Sequence, residues 1–131
     1  MHIMRHLVAI TIAAMFVSSC AITHSLSELR TTSTHTLHVG EQITLQHNAS
    51  IDSLSRNTGE IPFIVPTSSF HDPSMAPDFN AGEQFVVKRI DARSGFDGGD
   101  TVITLYALNH SQYVYADYYH YDMLFECPGC D

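Results

Sequence analysis

Short apolar runs with strand-like alternation indicate the fold class of this chain. After residue 36 they recur at roughly ten-residue intervals, with Gly-, Pro- and Asn-rich turns between them and no long helical stripe. The predicted strands cover 37–45, 61–65, 85–90, 101–108, 112–119 and 121–127. This pattern predicts an all-β domain of about six short strands, arranged as a small sandwich or a partly open barrel.

The first twenty residues have the layout of an export signal. Residues 1–6 carry Arg5 and no acid, and residues 7–17 are apolar apart from Thr11. An apolar run of this length suits a secretory signal and is too short to span a bilayer as a mature helix. It ends in the tetrapeptide Val17-Ser18-Ser19-Cys20.

This tetrapeptide resembles the lipobox of bacterial lipoproteins, in which an aliphatic residue and two small residues precede a cysteine. The resemblance implies that the thiol of Cys20 is joined to diacylglycerol. It also implies that the chain is cut before Cys20 and that the new amine receives a fatty acid such as palmitate. Ala21, rather than Asp, follows the cysteine, and by resemblance to enterobacterial sorting this favours the outer membrane.

Three segments follow from this interpretation. Residues 1–19 are the predicted lipoprotein signal peptide, and residues 20–36 are the lipidated N-terminus and a flexible tether, rich in Ser and Thr, with room for a helical turn at 25–30. Residues 37–131 are the predicted β-rich domain. The predicted location is the cell envelope, with the bilayer bound through Cys20 and an envelope protein as a further partner.

The charge balance excludes one class of partner. The chain has 14 acidic residues against 6 Lys and Arg residues, a formal net charge of −8. Such a balance repels phosphate backbones, so nucleic-acid binding is not expected. It also provides no attraction to anionic headgroups, so membrane attachment would depend on the acyl chains.

A second motif lies in the middle of the chain. Ser74-Met75-Ala76-Pro77 resembles the Ser-Met-x-Pro box of Ser/Lys peptidases, the group of type I signal peptidases and self-cleaving repressors. An apolar strand follows the box, and Gly99-Asp100 opens the next strand as a later Gly-Asp does in that family. The resemblance covers 74–103 and implies an all-β fold in which Ser74 is the nucleophile.

The catalytic base that such an enzyme needs is missing from its expected place. A Ser/Lys peptidase uses a neutral lysine on the strand after the second Gly-Asp, but 112–119 contains none. Lys88 lies in the strand directly after the box, and His110 or His120 would be the alternative bases. The sequence therefore contains no complete catalytic set, and no cofactor motif was identified.

The C-terminal pair Cys127-Pro-Gly-Cys130 leaves three interpretations open. A disulfide across a tight turn suits an oxidising compartment. A zinc half-site would need two further ligands, for which His110 and His120 are the candidates. A redox motif normally precedes a helix, and none is predicted here.

Other histidines and tyrosines complete the candidate residues. His35 and His38 would point to opposite sides of a strand but converge on an irregular segment. Tyr113 and Tyr115 share one side of a predicted strand, which suits either cross-strand packing or a binding platform. Three functions therefore stay open: a non-catalytic envelope lipoprotein that binds a partner, a divergent hydrolase using Ser74, and a metal-binding module.

Overall fold

The computed structural model describes residues 22–52, 60–95 and 98–130, so the predicted signal peptide and Cys20 lie outside the described residues. Within these ranges the strands are β1 (Ile22–Leu26), β2 (Glu28–Arg30), β3 (Thr36–His38), β4 (Gln42–Thr44), β5 (Ala49–Ile51), β6 (Ile64–Pro66), β7 (Gln84–Gly95), β8 (Gly98–Ala107) and β9 (Gln112–Asp117). The main sheet is antiparallel and has the order β1-β7-β8-β9, with β4 also paired to β7.

Strand β7 is the centre of the sheet. Along its length β8 occupies one edge, while β4 and β1 pair with it at successive stretches, residues 84–86 and 90–94. An irregularity between Val87 and Arg89 separates these stretches. Gly40, in the turn between β3 and β4, has a φ of +93°, and its N–H donates to the Val87 carbonyl at 2.7 Å. The N-terminal strands are thus fixed on a strand from the middle of the chain.

Two short hairpins complete the β structure. β2 pairs with β3, and β5 pairs with β6, after which a 3-10 turn covers Thr67–Ser69. The residues before β6 lie against the far edge of the main sheet, because the Tyr115 N–H donates to the Pro62 carbonyl at 2.8 Å. Phe63 forms an isolated bridge with Tyr115. This edge of β9 is therefore covered.

A short helical segment, 118–126, follows β9. It consists of an α-helical turn, α1 (Tyr118–Tyr121), and a π-helical turn, Asp122–Glu126. The Asp117 carboxylate caps its start by accepting the backbone N–H of His120 at 2.9 Å. Among the described residues no helix is long and apolar enough to cross a membrane.

The core lies between the main sheet, the hairpins and the helical segment. Aromatic rings join these layers: the Phe85 and Phe125 rings are 5.3 Å apart edge to face, and Tyr121 stacks on Phe125 at 5.1 Å. The core cluster contains Leu37, Ile43, Leu45, Ala49, Ile64, Phe79, Phe85, Val87, Ile90, Ile103, Leu105, Ala107, Val114, Ala116, Tyr121, Leu124 and Phe125.

The all-β prediction is confirmed, and the sheets are not closed into a barrel. The predicted strands 85–90, 101–108 and 112–119 correspond to β7, β8 and β9. The predicted strand 37–45 is divided into β3 and β4 by the turn at Gly40, and 61–65 corresponds to β6.

The predicted sixth strand, 121–127, is wrong, because the helical segment occupies this stretch. Tyr121, Leu124 and Phe125 are buried, and their spacing is that of one side of a helix. The segment is short, so its apolar residues also fit a strand when the sequence alone is considered.

The predicted tether, 20–36, is wrong for the described residues 22–36. They form β1, β2 and the turn before β3, and no helical turn is present at 25–30. β1 lies at an edge of the sheet with four of its five side chains exposed, so backbone pairing with β7 holds it rather than burial. An edge strand of this kind lacks the apolar alternation that makes a strand visible in sequence.

Candidate functional site

The region around Ser74 does not assemble a catalytic set among the described residues. Ser74 is exposed, and its hydroxyl donates to the carboxylate of Asp72 at 2.7 Å, as does its backbone N–H at 3.0 Å. Hydrogen bonds from the Ser74 hydroxyl and N–H lower the pKa of Asp72. These contacts describe a local turn that begins at an aspartate.

The candidate bases contact other groups. His110 Nε2 lies 2.8 Å from Glu83 Oε1, and His120 Nδ1 lies 2.7 Å from Asp117 Oδ2. The Lys88 ammonium lies over the ring of Tyr106, 5.7 Å from its centroid. None of these contacts brings a base to Ser74.

The two C-terminal cysteines form a disulfide across the Pro-Gly turn, with their Cα atoms 5.4 Å apart. The Cys130 N–H donates to the Cys127 carbonyl at 3.1 Å, and His47 Nε2 lies 2.6 Å from the same carbonyl. The described residues contain no group of three or more His, Cys, Asp or Glu side chains arranged to hold a metal. His110 and His120 contact carboxylates on separate elements instead.

Most tyrosines of β8, β9 and the helical segment pack against other aromatic rings. The Tyr106 and Tyr113 rings lie 4.9 Å apart across β8 and β9, and Tyr115 lies 5.3 Å from Phe63. Tyr121 is fully buried, whereas Tyr119 has 69% of its surface exposed. Tyr113 and Tyr115 thus take part in cross-strand and bridging contacts.

A polar cluster joins the N-terminal hairpin to the helical segment; we call it the His35 junction, made of Ser33, His35, Glu41, Tyr121 and Glu126. His35 Nδ1 lies 2.7 Å from Glu126 Oε1, and His35 Nε2 lies 2.8 Å from Glu41 Oε2. The Tyr121 hydroxyl donates to Glu126 at 3.0 Å, and the Ser33 hydroxyl donates to it at 2.9 Å.

The turn 31–35 holds His35 in place. The Thr31 N–H donates to the His35 carbonyl at 2.8 Å, and the Thr31 hydroxyl donates to it at 2.9 Å. Thr34 closes the turn with a φ of +68°. On the outer side, Thr32 donates to Asp122, so a second contact ties this turn to the helical segment.

The charges of the junction favour a protonated imidazole. A neutral imidazole carries one N–H, so only the protonated ring donates to both carboxylates. The hydrogen bond to Glu126 raises the pKa of His35 above its ordinary value of 6.5; partial burial opposes this, and the charges of Glu126 and Glu41 add to it. Burial, together with the neighbouring carboxylate of Glu126, raises the pKa of Tyr121 and keeps its phenol protonated.

His38 extends this network outward. Its Nε2 lies 3.2 Å from Glu28 Oε2, and its Nδ1 lies 3.7 Å from Glu41 Oε1. Because His35 precedes β3 and lies in an irregular turn, both histidines contact Glu41, which corresponds to the alternative in which the two side chains converge. The two imidazole rings therefore lie beside the same carboxylate, that of Glu41.

The junction predicts a pH-dependent stability. Because the folded-state pKa of His35 is raised, its stabilising effect is complete below about 6.5 and is lost as the pH rises through the folded-state value. We expect the free energy of unfolding, measured by urea titration between pH 6 and 9, to fall over this interval. The fall should be smaller in His35→Gln.

His71→Gln is the matched control for this titration. His71 is exposed in the loop before Ser74, and it is not one of the residues of the His35 junction. This variant should keep the slope of the unmodified protein. Equal slopes in His35→Gln and the unmodified protein would refute a charged imidazole in the junction.

A surface cleft lies at the C-terminal end of β9, where the helical segment begins. It has a volume of about 590 Å³ and is widely open to solvent. Its lining comes from the ends of β7 and β8 and from the start of the helical segment: Ala92, Arg93, Gly99, Asp100, Thr101, Asp117, Tyr118 and Tyr119. Arg93 and Asp100 are partners in the β7–β8 register, and Asp117 is paired with His120.

Neither the junction nor the cleft was predicted from sequence. The partners of His35 are separated from it by up to 91 positions, and no motif links them. The spacing of Tyr121, Leu124 and Phe125 and the capping residue Asp117 were the available signals for the helical segment. Comparison with models of known families, with curated proteins and with solved structures found no match.

Proposed function

We propose that this chain is a bacterial envelope lipoprotein, anchored in the outer membrane through a diacylglyceryl group on Cys20, that serves as a non-catalytic binding module for an envelope partner. The observation that carries the proposal is the apolar run 7–17 followed by Val17-Ser18-Ser19-Cys20. The order and spacing of these residues suit lipid attachment. The acyl chains then hold the body at the membrane without a basic surface.

The contacts around Ser74 favour the non-catalytic alternative over hydrolysis. Its hydroxyl donates to Asp72, and His110, His120 and Lys88 each contact a different group. The disulfide between Cys127 and Cys130 suits an oxidising compartment outside the cytoplasm. Metal binding through these cysteines is not part of the proposal, because disulfide sulfurs are poor ligands compared with thiolates.

Mass spectrometry of the intact protein from membranes tests the anchor. We expect a polypeptide that starts at Cys20 and carries diacylglycerol and a further acyl group. Cys20→Ser should leave an unprocessed chain without lipid, and Cys130→Ser, the matched control, should still be processed and acylated. An intact chain that retains Met1 and an unmodified Cys20 would overturn the proposal.

A further inference from the structure

The distance between Cys20 and the folded body restricts how the body lies on a membrane. Only Ala21 separates Cys20 from Ile22, the first residue of β1. Two Cα–Cα steps place the Cα atom of Cys20 within about 7.6 Å of that of Ile22, whatever the conformation between them. The interfacial layer on each side of a bilayer is itself only about 5–8 Å thick. A lipid on Cys20 therefore brings Ile22 to the headgroups.

The register of the sheet shows which other residues would lie there. Ile22 pairs with Ser94, and Ser94 pairs with Gly99, so one row crosses β1, β7 and β8. Neighbouring strands are about 4.8 Å apart, which puts Gly99 roughly 10 Å from Ile22. Gly99 also lines the cleft described above. The cleft and the start of β1 thus belong to the same end of the sheet.

From this geometry, and on the premise of the proposed lipid anchor, we infer that the end of the sheet formed by Ile22, Arg93, Gly99 and Tyr119 rests against the bilayer surface. The strands β7 to β9 then stand on this end, with the turn 108–111 directed away from the membrane. The partner of this surface is the headgroup region of a phospholipid bilayer. We call this surface the hairpin end.

The side chains of the hairpin end suit that partner. Ile22 has 41% of its surface exposed and Tyr119 has 69%, and tyrosine favours the membrane–water interface. Arg93 is exposed in the cleft, and a guanidinium matches the geometry of a phosphate group. Two acids in the cleft have neighbours of their own: Asp117 is paired with His120, and Asp100 lies opposite Arg93 in the β7–β8 register.

Two exposed tyrosines allow a direct test. Tyr119 belongs to the hairpin end, whereas Tyr113 is 47% exposed and pairs with Tyr106, seven residues along β8 from Gly99. That separation is roughly 24 Å along the strand. The chain contains no tryptophan, so Tyr119→Trp and Tyr113→Trp each introduce a single fluorophore on a comparable surface.

The processed, lipid-bearing variants are reconstituted into phosphatidylcholine vesicles that contain a nitroxide-labelled headgroup lipid. We expect quenching of the Tyr119→Trp fluorescence to be several-fold stronger than that of Tyr113→Trp. Circular dichroism of both variants in detergent checks that they are folded. Should Tyr119→Trp fail to fold, Ile22→Trp provides a second fluorophore at the hairpin end.

The outcomes separate this inference from the anchor itself. Mass spectrometry of the reconstituted protein establishes the lipid on Cys20, and its absence would overturn both. If the lipid is present and the two fluorophores are quenched equally, the body lies flat or without a fixed orientation, and the inference alone is wrong. Stronger quenching of Tyr113→Trp would reverse the orientation and also refute it.

Discussion

Tyr121→Ala is expected to lower the free energy of unfolding by about 4 kcal/mol, because it removes a fully buried aromatic ring from the core. The ring stacks on Phe125 at 5.1 Å, and its hydroxyl donates to Glu126 at 3.0 Å. A domain of this size is commonly stable by only about 5–15 kcal/mol, so the loss is a large fraction of the total. Urea denaturation followed by circular dichroism measures it.

Two further variants divide this effect into its parts. Tyr121→Phe keeps the packing and removes one hydrogen bond to a carboxylate, so a loss of about 1.5 kcal/mol is expected. Tyr119→Ala, on the same helical turn but exposed, should change stability by less than about 0.5 kcal/mol. If the alanine variants at 119 and 121 proved equally stable, the helical segment would not be buried as described.

Glu126→Ala is expected to cost about 3 kcal/mol, since three donors lose a shared acceptor. Its side chain is only 10% exposed and accepts from Tyr121, His35 and Ser33. The buried phenol of Tyr121 is left without the carboxylate that satisfies it. The same denaturation assay at pH 6, where the imidazole of His35 is charged, gives the largest effect.

Glu28→Ala is the control for a carboxylate that pairs with histidine at the surface. Glu28 contacts His38 at 3.2 Å, and both side chains are more than half exposed, so a change of about 0.5 kcal/mol is expected.

Combining Glu126→Gln with His35→Gln in a double-mutant cycle measures the coupling free energy between these two side chains. A cycle in which the two effects simply add would show that the contact between these side chains contributes nothing.

The parts of the fold that the sequence predicts are those in which alternation and burial coincide. In β7 and β8, the pairs Phe85 and Val87, and Ile103 and Leu105, are buried at alternate positions, and this pattern predicts both strands. The Cys127–Cys130 pairing is equally local, because its two members are separated by a single turn. Neither case needs information from a distant part of the chain.

The parts that were missed depend on distant partners. β1 is a strand only because β7 offers it an edge, and its own residues are mostly exposed. The helical segment is short, and tertiary packing of Phe125 against Phe85 decides its conformation over the local strand propensity of its aromatic residues. The His35 junction could not be predicted for the same reason. His35 lies in the segment predicted as a tether, and Glu126 lies in the segment predicted as a strand.

The pairing of β1 with β7 also sets the order in which the molecule is completed during synthesis. Ile22 pairs with Ser94 and His35 contacts Glu126, so these two residues have no long-range partner until residues 94 and 126 have been made. Contacts of such wide sequence separation form late and slowly. We therefore expect nascent chains that stop before residue 84 to lack stable tertiary structure and to remain able to pass through an export channel.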